Sequence, residues 1–405
     1  MTPGASRCAE NWCAPSLAVR FVVVENIPSF EILIPLTGIT RTIGLRAHAR
    51  TGAIESTTSP PDTEAPVRLH ERKGFPVKRT RSLAATLACA ALALTACSSS
   101  DDADGSKDSG AESYKIAVTQ IVTHDSLDQS IAGFKKALED EGLDVTYDDE
   151  NANNDQSVVA SISGTLATSD ADLVLGVGTP MAQGLAQSIS DKPILFTAVT
   201  DPVDAGLVGS MEKPGANVTG TTDANPVVEQ LDLIKEIDPD VKTVGVLYNS
   251  GEANSAVQVQ WLKDAAADEN IEVKEATVSN TNEVQQAANS LDVDAIYVPT
   301  DNTVISALDS VVQVGETKKI PVYPAEGDSV AKGGLATYGL NYFDLGYQTG
   351  EMAIKILVDG EDPATMAVET QKEPVIYLNL GAAERMGVEL PQDLIDRADE
   401  ANITK

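Results

Sequence analysis

Side chains able to grip a small solute recur in this 405-residue chain at one kind of place, directly after short apolar runs. Thr123-His124-Asp125, Gly178-Thr179-Pro180 and Thr200-Asp201-Pro202 stand there in the first half of the patterned region. Asn249-Ser250, Asn254-Ser255, Thr300-Asp301-Asn302-Thr303 and Glu326-Gly327-Asp328 do so in the second. Hydroxyls, amides and carboxylates hold ligands by hydrogen bonds, and helix N-termini beyond strand ends add free N–H groups. Any one of these loops is accounted for as a helix N-cap, because Ser, Thr, Asn and Asp dominate caps. Convergence from two halves favours binding, most for Thr179, Asn254, Ser255 and Asp301.

Catalytic and metal chemistry fare worse. His124 is the only histidine and Cys97 the only cysteine beyond residue 96, so thiol–imidazole catalysis, a disulfide and a thiolate metal site are all excluded there. No GxSxG elbow, Walker loop or HExxH occurs, and GVGTP (176–180) lacks the dinucleotide fingerprint. We expect no cofactor and no metal. The formal net charge of −32 repels nucleic acid.

The ligand's chemistry follows from a scarcity. Beyond residue 96 the only arginines are Arg385 and Arg397, near the C-terminus, so no guanidinium clamp is placed for a phosphate or sugar acid. A carboxylate would be held by Thr179, Asn254 and Ser255. An ammonium needs an anion, for which Asp301 is the first choice and Glu326 the second. Tyr248, Tyr323, Tyr338 and Tyr342 are available to pack against a ligand side chain, or against the core. A neutral aromatic or large apolar L-amino acid fits, with a branched aliphatic amino acid or another small neutral solute open.

The elements that must position these groups are legible as a pattern. YKIAVTQ (114–120), ADLVLGVG (171–178), KPILFTAV (192–199), KTVGVLY (242–248), DAIYVP (294–299) and KIPVYP (319–324) are near-continuously apolar, as buried parallel strands are. Amphipathic stretches alternate with them; in 125–142, Leu127, Ile131, Phe134 and Leu138 share a face and Gly142 supplies the stop. The alternation occurs twice, which predicts two α/β lobes. A polar strand-like segment and helix over 336–361 and a strand over 374–380 predict further crossings between the lobes, the architecture of a hinge.

Upstream, KRTRSLAATLACAALALTA (78–96) joins a basic start, an apolar stretch and small residues, the pattern of a secretory signal, before the acidic, Ser-rich tract from Ser98. Leu-Thr-Ala-Cys ending at Cys97 resembles the bacterial lipoprotein box, so Cys97 is the expected lipidation site, with several acyl chains giving durable anchoring. We expect residues 1–76 to be untranslated, through a mis-assigned start, or disordered; 77–96 to be the signal; and 97–113 to be a flexible tether.

AVTDPVDAGLV (198–208), VTGTTD (218–223), LYNSGEANS (247–255) and GGLATYGLNYFDLGYQTGEMA (333–353) together resemble the ABC transporter substrate-binding protein family whose characterised members take aromatic amino acids. The resemblance covers about 114–400. It implies a type I periplasmic-binding-protein fold: two doubly wound parallel-sheet lobes joined by a three-segment hinge. We expect lobe 1 over 114–222 plus 340–367, lobe 2 over 223–339 plus 368–405, and crossings near 222–226, 337–341 and 368–374. The expected function is a lipid-anchored extracytoplasmic receptor at the cell membrane, capturing a zwitterionic solute for an ABC permease and its ATPase, monomeric and not an enzyme. A sensory receptor for the same solutes and a surface enzyme on the same fold are the alternatives. The expected ligand set is Thr123, His124, Thr179, Thr200, Asp201, Asn249, Asn254, Ser255, Thr300, Asp301, Glu326 and Tyr338.

Overall fold

The computed structural model describes residues 113–371 and 373–405. The expected signal, tether, Cys97 and residues 1–76 lie outside the described residues. In chain order the first set of elements is β1 (Ser113–Gln120), α1 (Asp125–Glu141), β2 (Asp144–Asn151), α2 (Gln156–Leu166), β3 (Leu173–Val177), α3 (Thr179–Ser188), β4 (Ile194–Val199) and β5 (Val218–Thr222). There follow α4 (Val227–Ile237), β6 (Thr243–Asn249), α5 (Ala253–Asp268), β7 (Glu272–Val278), α6 (Val284–Ser290), β8 (Ala295–Val298), α7 (Asn302–Ile305), α8 (Leu308–Lys318), β9 (Val322–Pro324), α9 (Gly327–Ala331) and β10 (Ala336–Gly339). The tail supplies α10 (Tyr342–Leu357), β11 (Glu369–Thr370), β12 (Val375–Asn379), α11 (Leu380–Met386), α12 (Gln392–Arg397) and β13 (Ile403–Thr404).

Two hydrophobic cores result, one per lobe. The first gathers Phe134, Leu175 and Phe196 with Leu345 and Met352 of α10. The second gathers Leu247, Leu262, Tyr297 and Val311 with Leu378, Met386 and Leu394 of the tail. The first lobe's sheet is parallel throughout, in the order β11-β5-β4-β3-β1-β2. Its inner strands are buried along their whole length because helices cover both faces. The second lobe holds the parallel sheet β7-β6-β8-β9 and a smaller sheet β10-β12-β13, in which β10 and β12 pair antiparallel. The chain passes between cores at 223–226, at 340–341 and between β11 and β12. The first lobe extends beyond its expected end at 367: Val368 sits in the first core, and β11 is still hydrogen-bonded to β5.

Helix α10 is fixed to the first lobe by a close crossing with α1. A Cβ on Gly346 would stand 1.8 Å from the Ser130 carbonyl oxygen, and one on Gly133 would stand 1.9 Å from that of Phe343. Glycine at both places lets the two backbones touch.

Candidate functional site

The carboxyl ends of both parallel sheets face each other, and between them lies a cavity lined by His124, Leu127, Thr179, Ala198, Thr200, Asp223, Asn254, Thr300, Asn302, Ile305, Glu326 and Tyr342. Its empty volume, open solvent at the mouth included, is about 330 Å³. The lobes are drawn together by hydrogen bonds across it. Asn154 Nδ2 donates to Thr303 Oγ1 at 2.9 Å, the Thr200 and Thr300 hydroxyls meet at 3.4 Å, and Gln258 Nε2 reaches Thr200 Oγ1 at 3.3 Å. At the rim Lys332 pairs with Asp125 at 3.1 Å.

On the first lobe's side, β4 ends in a register irregularity against β5, and Ala198 takes a φ of 55°. Few side chains tolerate that conformation, and such strain is found where a chain end is aimed for use. Here the strand end delivers Thr200, whose Oγ1 donates to Asp223 Oδ1 at 3.1 Å. Asp223 begins the first crossing between lobes, and its Oδ2 accepts from the Tyr342 hydroxyl at 2.8 Å. Burial pushes the Asp223 carboxyl up from the ordinary carboxylate range. Gly178, at φ 90°, leads into α3; a Cβ there would lie 2.7 Å from Ile121 Cγ2. Thr179 opens that helix, and its buried Oγ1 has no partner among the described residues, facing the cavity at the positive end of the helix dipole.

On the second lobe's side, Glu326 is buried and accepts from the hydroxyls of Ser126 and Ser329. Burial and the nearby Asp328 charge raise its pKa to about 7. Ser126 Oγ also lies 2.8 Å from Asp328 Oδ2. One hydroxyl hydrogen cannot serve two ionised carboxylates, so this latch between the lobes favours a proton on one of them. Asn254 donates through Nδ2 to the Thr300 carbonyl at 2.8 Å, while its buried Oδ1 is without a partner among the described residues.

Of the expected ligand set, the structure brings His124, Thr179, Thr200, Asn254, Thr300 and Glu326 to the cavity and leaves the other six out of its lining. Asp301, expected to meet an ammonium, instead caps α7: Oδ1 accepts from Val304 N at 2.8 Å, and Oδ2 from Asn249 N and Ser255 Oγ, each at 2.6 Å. Burial and the Glu252 charge raise its pKa to about 7. Ser255 and Asn249 are thereby committed beneath the surface, Asn249 also donating to Thr303 Oγ1 at 3.0 Å. Asp201 caps its own turn through the N–H groups of Val203 and Asp204. Thr123 is exposed and accepts from Asn151 Nδ2 at 2.7 Å. Tyr338 packs half-buried against the second core. Asp223 and Asn302 were outside the expected set. A carboxylate at the first expected crossing, in the string VTGTTD, is the signal that could have found Asp223. Tyr342, counted only among the available aromatics, proves to be its partner.

Two lobes on a three-strand hinge, closing a polar-and-apolar cavity at the strand ends, define a solute-capturing receptor. The family model of the ABC transporter substrate binding protein matches residues 115–402, and the chain belongs to that family, one of solute-binding proteins rather than enzymes. It is 41% identical over 296 residues to a tyrosine-binding protein of Clostridioides difficile, spanning 71% of this chain and 86% of the relative. Among solved structures, the ABC domain from Streptococcus pneumonia in complex with L-Trp is similar at 38% identity and a TM-score of 0.70, over 73% of this chain and 100% of that one. The ligand-free, open structure of a substrate binding protein with adhesive properties from Clostridium difficile is 43% identical with a TM-score of 0.56, over 72% and 98%. Shape therefore follows the L-Trp complex more closely than the open structure, although the sequence is nearer the latter. This agrees with the hydrogen bonds across the cleft: the lobes are closed.

Proposed function

We propose that this chain is the lipid-anchored binding protein of an importer for aromatic L-amino acids. One observation carries the reading. Asp223 and Glu326 bring buried carboxylates from opposite lobes to one cavity, whose described lining includes no lysine or arginine. A buried carboxylate without a cation is costly, and a ligand ammonium supplies that cation. The ligand carboxylate then falls to the Thr179 hydroxyl at the start of α3, and the ligand side chain to Leu127, Ala198 and Ile305. The tyrosine-binding relative and the L-Trp complex support the aromatic class.

Attachment would be through acyl chains on Cys97, placed by the Leu-Thr-Ala-Cys box at the extracytoplasmic face of the membrane, with an ABC permease and its ATPase as partners and the receptor itself monomeric. Calorimetry tests the ligand. L-tyrosine, L-tryptophan or L-phenylalanine should bind, while tyramine, which lacks the carboxylate, and 4-hydroxyphenylpropionate, which lacks the ammonium, should not; equal binding of tyramine and tyrosine would defeat the reading. Incorporation of labelled palmitate that persists in Cys97→Ser would defeat the anchor.

A further inference from the structure

We propose that His124 reads the polar edge of an aromatic ligand, its Nδ1 accepting a hydrogen bond from a phenol O–H or an indole N–H and so separating tyrosine and tryptophan from phenylalanine. The inference rests on the cavity being an aromatic amino-acid site. Its first support is an orphan: His124 Nδ1 is buried, lies in the cavity lining residue set and has no partner among the described residues. An unpaired buried polar atom is costly unless something meets it.

The second support is the tautomer. The Asn302 side chain lines the cavity together with the imidazole, whose Nδ1 is without a partner among the described residues. Asn302 Nδ2 is committed to Glu252 Oε2 at 2.6 Å, and the Asn302 backbone N–H to the same oxygen at 3.0 Å. The amide therefore has Oδ1 left over as an acceptor. With the ring hydrogen on Nε2, Nδ1 keeps a lone pair for a ligand donor.

Burial, with the Lys332 charge adding to it, holds the imidazole pKa down to about 4, so the ring is neutral near pH 7 and the lone pair is available. The third support is elimination within the cavity. Asp223 and Glu326 take the ammonium and Thr179 the carboxylate, which leaves two unpartnered acceptors, Asn254 Oδ1 and His124 Nδ1, and of these His124 stands at the start of the helix that brings the apolar Leu127 to the ligand side chain. Phenol and indole each carry a donor at the ring edge, and a phenyl ring carries none.

Calorimetry on the full-length protein tests this with L-tyrosine, L-phenylalanine and O-methyl-L-tyrosine, the last lacking the phenolic hydrogen. The unmodified protein should bind tyrosine about tenfold to a hundredfold more tightly than either analogue. In His124→Phe the three affinities should come within about threefold of one another, and His124→Asn, which retains an acceptor, should restore part of the preference. Equal binding of tyrosine and phenylalanine by the unmodified protein overturns the assignment, as does an unchanged ratio in His124→Phe. Binding of none of the three by the unmodified protein overturns the site reading and this assignment with it. Because His124→Phe alters a partly buried position, the unmodified protein also carries a test: the Nδ1 nitrogen resonance should move when L-tyrosine is added and not with L-phenylalanine. No movement while both bind overturns the proposal.

Discussion

The two walls of the cavity are built on opposite plans. In the second lobe the polar groups behind the surface are spent on one another: Glu252 alone accepts from the backbone N–H groups of Asn302 and Thr303, the Thr303 hydroxyl and the side-chain amides of Asn302 and Asn254. Asp301 adds three more bonds beneath it. The first lobe presents Thr179 Oγ1 and His124 Nδ1 without partners among the described residues, and an Asp223 carboxylate held by two hydroxyls, whereas the second wall leaves only Asn254 Oδ1 in the lining unpartnered. One wall is mostly a fixed template, and the other keeps more hydrogen-bonding capacity in reserve. Buried carboxylates in the same fold therefore divide into those that fasten loops and those that face solute, and burial alone does not tell them apart.

The sharpest way to break this division is Asp223→Asn. Losing a charge-assisted partner for a ligand ammonium should weaken amino-acid binding about a hundredfold. The thermal midpoint without ligand should hold or rise, since a buried carboxyl with a raised pKa is removed; an unaltered Kd would move Asp223 to the fastening class. Asp301→Ala should do the reverse. Removing the acceptor of three hydrogen bonds, one of them a helix cap, should lower stability by about 2–4 kcal/mol in urea unfolding, and the Kd at a temperature where the variant is folded should change less than in Asp223→Asn.

A third test uses protons. The folded-state pKa of Glu326 is raised from 4.5 to about 7, so its contribution to stability is fully present below 4.5 and is lost as pH rises through 7. An ammonium favours the ionised form, so ligand binding near pH 6 should release a proton, and affinity should rise by up to about tenfold per pH unit between those limits. The enthalpy measured in buffers of different ionisation heats reads this directly; proton uptake would show that Glu326 does not face the ammonium. The smallest effect is expected at the rim: Lys332→Ala removes an exposed ion pair with Asp125 and should shift the Kd by no more than about threefold.

Sequence alone revealed the inner strands β1, β3, β4, β6 and β8, because parallel strands covered on both faces carry uninterrupted apolar runs, but not the inner β5, whose buried VTGTT holds threonines and a glycine in place of such a run. It did not reveal β2, whose sequence DVTYDDEN is largely exposed at a sheet edge and carries no such run. The same physics limited the site. Strand-end loops were found because strand ends can be read, yet Asp201 and Asp301 have the side chains of ligand groups and do the work of caps. Distinguishing them takes knowledge of which N–H groups lie within reach, and that is fixed by the turn and not by the residue type. Asp223 and Tyr342 escaped because each stands at a crossing between lobes and they come together only in the folded chain, 119 positions apart.

The close crossing of α1 and α10 also has a bearing on time. Since Gly346 and Gly133 bring these helices into backbone contact, Tyr342 travels with the first lobe, and so does the Asp223 carboxylate that it holds. When the cleft opens, that pair and Thr179 stay assembled while Glu326 departs with the second lobe. On the proposed reading of the site, a solute entering the open cleft would meet most of its polar partners already in place, and Glu326 would reach it last. Changes to the first wall should appear chiefly in how fast a ligand is captured, and changes to Glu326 in how long it is kept.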